Sequence, residues 1–177
     1  FDATLNLLVC EHASSEVARI CPNGEREVLC SHFDGKALNS PNDICVRSDG
    51  CVYFTDPSYG RTAEFGTVRG AELSVQGVYL LPPDHRPGAE PVLICERHLF
   101  NQPNGLCLSP CERWLYVNDS EEATIHRFTI AESGQLSNPE IFASTICDAV
   151  LPGVPDGMKT ARWWVDVMKF DSLRDLG

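Results

Sequence analysis

The 177-residue chain is 43% hydrophobic and 22% charged, with a formal net charge of −11 at pH 7 and a pI near 4.8. Its length suits one domain with a sizeable core, and its composition is that of a soluble globular protein. The acidic balance, without clustered Lys and Arg, argues against a nucleic-acid partner, and no apolar run is long enough to cross a bilayer.

The opening stretch FDATLNLLVCEH has no basic region and only a brief apolar run, so it does not read as a signal peptide. It begins without Met, almost directly in strand-like sequence, and reads as a processed chain or a fragment. Leu5 to Glu11, Glu16 to Cys21 and Glu27 to Ser31 are predicted short strands, the last two separated by the hairpin signal Pro22-Asn23-Gly24. A polar connector, His32 to Ser40, leads to a second unit from Asn42 through Asp56. The stretch from Tyr59-Gly60 to Ser74 is a Gly-rich polar loop that either covers a site or joins strands.

Val75 to Leu81 and Pro91 to Glu96 form another predicted strand pair around Pro82-Pro83-Asp84. PNGLCLSPCERWLYVND follows, read as an Asn-Gly turn at Asn104-Gly105, an apolar run, a polar turn and a strand over Trp114 to Val117. Thr124 to Ile130 alternates like a half-buried strand, Glu132-Ser133-Gly134 turns, and Glu140 to Ser144 pairs back. The final TARWWVDVMKFDSLRDLG breaks the pattern and suits a helix or a strand equally. Almost no window sustains a 3.6-residue period, so the chain reads as all-β with regularly spaced short strands. The long repeat favours a propeller, of which ~40–45 residues per blade allow about four blades. The expected division is a partial β-propeller over 1–159 and a divergent tail over 160–177.

Nine Cys residues lie mostly in apolar strand-like runs without zinc spacing, which favours reduced thiols in a cytoplasmic setting. A periplasmic or secreted location stays open because the N-terminus reads as incomplete. The five His residues occur singly, without ligand spacing. Asn118-Asp119-Ser120 matches a glycosylation sequon but is expected to be strand-end sequence.

Three turns share one grammar: Pro41-Asn42-Asp43, Pro103-Asn104-Gly105 and Pro155-Asp156-Gly157, with 62 residues from Asn42 to Asn104 and 52 from Asn104 to Asp156. Taken singly, each Asn or Asp is ordinary turn chemistry that caps backbone N–H groups. As a recurring set, their side-chain oxygens can converge on one centre. Asp56 and Asp119, which end the strands that follow two of these turns, are expected to be structural hydrogen-bond acceptors.

NSPNDICVRSDGCVYFTDPSYG, PNGLCLSPCERWLYVNDS and VPDGMK, in that order, resemble the gluconolactonase branch of the regucalcin-like (senescence marker protein) lactonase family, from about Leu5 to Lys159. The resemblance implies a six-bladed β-propeller, incomplete here, whose central channel holds one divalent cation and which hydrolyses sugar lactones. Ca²⁺ is the expected ion, with Mg²⁺, Mn²⁺ and Zn²⁺ as alternatives. The motif matches make Asn104 and Asp156 metal ligands and put Asn42 at the metal centre, in contact with substrate or metal-bound water; Asp156 is also the expected general base. Tyr59 is a further substrate-side candidate at the mouth. The Glu of the family's first-blade E-G-P motif has no counterpart here, and Glu11, in a later strand pattern, is not its substitute.

Oxygen donors without a Cys/His cluster suit a hard cation. Two other readings accompany the lactonase: a phosphotriesterase-like esterase at the same centre, and a catalytically inactive propeller fragment serving as a binding or assembly module. The expected partners are a small-molecule lactone, with neither nucleic acid nor membrane, and a second copy of the chain if the propeller is open.

Overall fold

The computed structural model describes residues 1–95, 98–146 and 153–160. The expected tail beyond Thr160 lies outside them.

Successive antiparallel sheets are laid out in chain order. The first joins β1 (Leu7–Glu11), β2 (Glu16–Ile20) and β3 (Arg26–Cys30). A two-residue-per-strand hairpin follows, β4 (His32–Phe33) with β5 (Lys36–Ala37). The second full sheet is β6 (Ile44–Val46), β7 (Val52–Asp56), β8 (Gly77–Leu81) and β9 (Val92–Leu93), and the third is β10 (Pro103–Leu108), β11 (Trp114–Asp119), β12 (Thr124–Ile130) and β13 (Leu136–Ala143). Each sheet is an up-and-down meander, with every strand paired to its sequence neighbour. These are blades of an incomplete β-propeller, as the strand spacing predicts.

The same turn chemistry closes equivalent hairpins. At the β6–β7 turn Gly50 takes φ +93° and its N–H bonds the Arg47 carbonyl at 2.9 Å; at the β10–β11 turn Glu112 takes φ +55° and bonds Ser109 in the same way. A positive φ is costly for a residue with a Cβ, but Glu112 has compensation. Its carboxylate accepts the Ser48 N–H (3.1 Å) and the Ser48 hydroxyl (2.5 Å) and so laces the second blade to the third.

Apolar clusters lie between blades. Leu8, Val17 and Leu29 of the first pack against Phe54, Tyr79 and Leu81 of the second, where Phe54 and Tyr79 stack at 5.4 Å. Tyr53, Val78 and Leu80 of the second meet Leu106, Leu115 and Phe128 of the third. A smaller cluster joins Cys107, Tyr116 and Ile125 to Met158, which fixes the 153–160 segment beside β10. Eight Cys residues of the described part are free thiols; Cys30, Cys51 and Cys107 are buried as small apolar side chains. Among the described residues no helix is long and apolar enough to cross a membrane.

Candidate functional site

The site begins with two carboxylates that end strands. Asp56, at the end of β7, accepts the N–H groups of Asn39 and Ser40, each at 2.8 Å. Asp119, at the end of β11, accepts those of Asn101 (2.6 Å) and Gln102 (3.1 Å). Both are fully buried, and a carboxylate, with several acceptor sites on its two oxygens, can serve two consecutive N–H donors at once. Asn39-Ser40-Pro41-Asn42-Asp43 and Asn101-Gln102-Pro103-Asn104-Gly105 are therefore looped alike. The expectation that Asp56 and Asp119 are structural acceptors agrees with this geometry. Burial raises the Asp56 carboxyl to about 7, against the lowering effect of its backbone donors and of the Arg61 charge.

The preceding residue of each strand ties one blade to the next. Thr55 Oγ1 accepts the Asp43 N–H (3.1 Å) and donates to the Asn104 carbonyl (2.7 Å). Asn118 Oδ1 accepts the Gly105 N–H (3.1 Å), and its Nδ2 donates to the Asp156 carbonyl. Asp43 adds a further tie, accepting the Leu106 N–H at 2.9 Å where β10 bulges between Pro103 and Leu106.

Asn104-Gly105 is thus not the hairpin turn its sequence suggests but an irregular part of an innermost strand. Gly105 is required by close approach. A Cβ there would overlap the Asp156 carbonyl oxygen and stand 2.9 Å from Asn118 Nδ2.

Asn104 is 7% exposed. Its Nδ2 donates to Ser120 Oγ at 3.0 Å, while its Oδ1 is buried with no hydrogen-bond partner. Asp156 is exposed, and its backbone is held by Asn118 and, through the preceding carbonyl of Pro155, by Ser120 Oγ at 2.5 Å. Tyr59 is half-buried, edge-on to Phe65 at 5.8 Å, and its hydroxyl is hydrogen-bonded to Ser120. Burial raises the Tyr59 pKa, the Ser120 hydrogen bond opposes that rise, and the charges of Asp119, Glu121 and Asp156 add to it. Asn104, Asp156 and Tyr59 are therefore gathered around Ser120. Asn42 is half-buried on the neighbouring turn, its N–H bonded to the Thr55 carbonyl at 2.9 Å. Among the described residues no hydrogen bond joins it to Ser120.

The polar loop after Tyr59 is anchored rather than free. Arg61, 7% exposed, donates to the carbonyls of Asn39 (2.8 Å), Leu38 (2.6 Å) and Gly70. The Ser58 N–H is accepted by Gln76 Oε1 at 2.7 Å. Sequence reasoning missed Ser120, Asn118, Thr55 and Asp43 as site-building residues. The repeated strand endings Thr55-Asp56 and Asn118-Asp119 were the available signal.

An unpartnered buried amide oxygen, like a carboxylate, is the donor chemistry a hard cation takes. Asn104 Oδ1 and the Asp156 carboxylate fit such an ion in type. Among the described residues no group of three or more His, Cys, Asp and Glu side chains forms a metal cluster. A separate groove of about 520 Å³, lined by Gln76, His98, Asn101, Glu122 and His126 among others, opens between the second and third blades and includes none of the four candidates.

Comparison with known proteins places these features in context. The chain is 34% identical over 157 residues to a gluconolactonase of Zymomonas mobilis, covering 85% of this chain and 42% of that protein. The solved structure of a gluconolactonase from Xanthomonas campestris matches 91% of this chain and 51% of its own, with 35% identity and a TM-score of 0.78. A luciferin-regenerating enzyme shares the fold at 18% identity and a TM-score of 0.58, over 86% of this chain and 47% of its own. The chain thus spans about half the length of the relatives it matches, or less. The model of the SMP-30/gluconolactonase/LRE-like region matches residues 2–169, and the chain belongs to that family.

Proposed function

We propose that this chain forms part of a divalent-cation-dependent hydrolase that opens sugar lactones. The observation that carries the reading is the buried, unpartnered Oδ1 of Asn104, whose amide is tied through Ser120 to the segment bearing Asp156. Gluconolactonase relatives over most of the chain favour a cyclic sugar ester as substrate. Asn104 and Asp156 would hold the cation, Ca²⁺ by donor type, with Asn42 and Tyr59 on the substrate's side. Bound there, the ion would polarise the lactone carbonyl and offset the charge that builds on its oxygen.

The remaining chemistry falls to the protein. The Asp156 carboxylate is exposed toward solvent and takes a proton from the water that attacks the carbonyl carbon. When the ring C–O bond breaks, the same group returns that proton to the departing alkoxide, leaving the open-chain hydroxy acid. Asn42 and the Tyr59 hydroxyl are polar, partly buried groups suited to orient the sugar hydroxyls.

The test is release of acid from D-glucono-1,5-lactone by the purified chain, with and without Ca²⁺. Opening above the spontaneous rate, dependent on Ca²⁺ and reduced at least ~10²-fold by Asp156→Ala, is expected from the usual cost of losing one stabilising group at such a centre. No opening with any divalent cation would sink the lactonase reading for this chain. It would favour instead an inactive binding module, to which the two-donor set among the described residues also points. Parallel assay of aryl phosphotriesters distinguishes the esterase alternative.

A further inference from the structure

We propose that Ser120 is a positioning residue that fixes which end of the Asn104 amide faces the centre; this rests on the reading of Asn104 as a cation ligand. An asparagine amide has a donor end and an acceptor end of nearly the same shape, and only the oxygen can bind a cation. Something must therefore hold the amide the right way round.

Ser120 does so by hydrogen-bond arithmetic. Its hydroxyl is 2% exposed and has one proton to give and two lone pairs to offer. The Pro155 carbonyl, 2.5 Å away, can only accept, so it takes the proton. With its proton committed there, the Ser120 oxygen can receive only donors, so the group of Asn104 that meets it at 3.0 Å must be Nδ2. Oδ1 is then turned away from Ser120 and left without a protein partner. A flipped amide would set two acceptors against each other at Ser120 and present N–H groups to the cation. The same hydroxyl joins the Asn104 side chain to the backbone that carries Asp156, so one serine sets both the orientation of the first ligand and the position of the second.

The test uses the full chain and two readouts. In the metal-free protein, the side-chain ¹⁵NH₂ resonances of Asn104 are followed by NMR hydrogen exchange; Ca²⁺ affinity is measured by titration calorimetry. One Nδ2 proton is expected to be protected, with the protection lost in Ser120→Ala and kept in Ser120→Thr. Ca²⁺ affinity should fall about 10–100-fold in Ser120→Ala, the usual cost of removing a group that orients a ligand, and stay within a few-fold in Ser120→Thr. In the Asn104→Asp background, where both side-chain atoms are oxygens, Ser120→Ala should cost clearly less Ca²⁺ affinity, because only its tie to the Asp156 segment is then lost. An equal loss in both backgrounds would assign Ser120 a merely structural role and overturn the proposal. If wild type binds no Ca²⁺, the metal reading fails by itself, and the NMR measurement still decides whether Ser120 orients the amide.

Discussion

Thr55 and Asn118 hold equivalent positions, each one residue before the carboxylate that ends the second strand of its blade, and each links the start of its own blade to a later segment of the chain. Thr55 hands on to the carbonyl of Asn104, and Asn118 to the carbonyl of Asp156. The two candidate ligands are thus placed by one repeated device, which is why a propeller can bring residues 52 positions apart to a common centre.

Asn118→Ala is expected to leave the buried Gly105 N–H and the Asp156 carbonyl unpaired, at a cost of about 1–3 kcal/mol for groups of this kind. Urea unfolding measures that loss. Ca²⁺ affinity should fall with it, because the Asp156 segment loses one of its ties. At the equivalent position, Thr55→Val should lose stability by a similar amount while Thr55→Ser, which keeps the hydroxyl, stays near wild type. Equal stability of Thr55→Val and Thr55→Ser would show that the hydroxyl bridge contributes nothing.

Gly105→Ala tests close approach instead of hydrogen bonding. The added methyl group would overlap the Asp156 carbonyl oxygen, so backbone must move, and overpacking of this kind costs roughly 1–3 kcal/mol. The displaced part is the 153–160 segment, which is held at the third blade by Met158 and by Thr160 Oγ1 donating to the Leu108 carbonyl at 2.8 Å. Lactone opening is expected to fall at least tenfold, more than the stability change alone would suggest. Unchanged activity would mean that Asp156 need not sit where Gly105 allows it.

Much of this was legible beforehand, for physical reasons. Strand existence followed from alternation and turn chemistry: Gly24, Gly50 and Gly134 all take the positive φ their hairpins require. The burial of Asp56 and Asp119 was readable because a carboxylate closing an apolar strand must find donors. Asn104-Gly105 misled because the pair has the composition of a tight turn, whereas the glycine is there to let the Asp156 backbone come near. Ser120 was hidden inside a sequon, since its role depends on Pro155, 35 residues away, and no local pattern encodes that pairing.

Asp56 gives a pH dependence whose sign can be worked out. Its folded pKa, about 7, lies above the ordinary value of 3.8, so between these values the native state holds a proton that the unfolded chain has released. Its contribution to stability is therefore fully present below about pH 4, declines as pH rises through the interval, and is gone above about pH 7. Asp56→Asn cannot titrate and should lack this decline. The difference in unfolding free energy between wild type and Asp56→Asn, measured at pH 4.5 and pH 8, should shift toward the variant at the higher pH. A pH-independent difference would mean that the two backbone donors keep Asp56 ionised throughout.

Cys111 should be the most reactive thiol among the described cysteines with resolved shifts. Hydrogen bonds from Ser109 and Arg113 lower it to about 7, and it is exposed. Burial raises Cys51 and Cys107 to about 11 and Cys30 to about 12. Thiolate is the attacking species, so iodoacetamide at pH 7.5 is expected to label Cys111 well before those three. Peptide mapping over a time course checks the order, and a buried cysteine labelled first would refute it.

Tyr59→Phe separates a substrate contact from a structural one. The variant keeps the ring packed on Phe65 and removes only the hydroxyl that is bonded to Ser120. If that hydroxyl also meets the sugar, its loss removes binding of the order of 1 kcal/mol, or roughly a fivefold rise in KM with kcat little changed. Asn42→Ala should act in the same direction, since Asn42 is held on the adjacent turn by Thr55 and not by the Ser120 group. A fall in kcat at constant KM would place Tyr59 behind Asn104, acting through Ser120 instead of on the substrate. Additivity in the Tyr59→Phe, Asn42→Ala double variant would show the two side chains working at separate points on the sugar, whereas strong coupling would place them on the same hydroxyl.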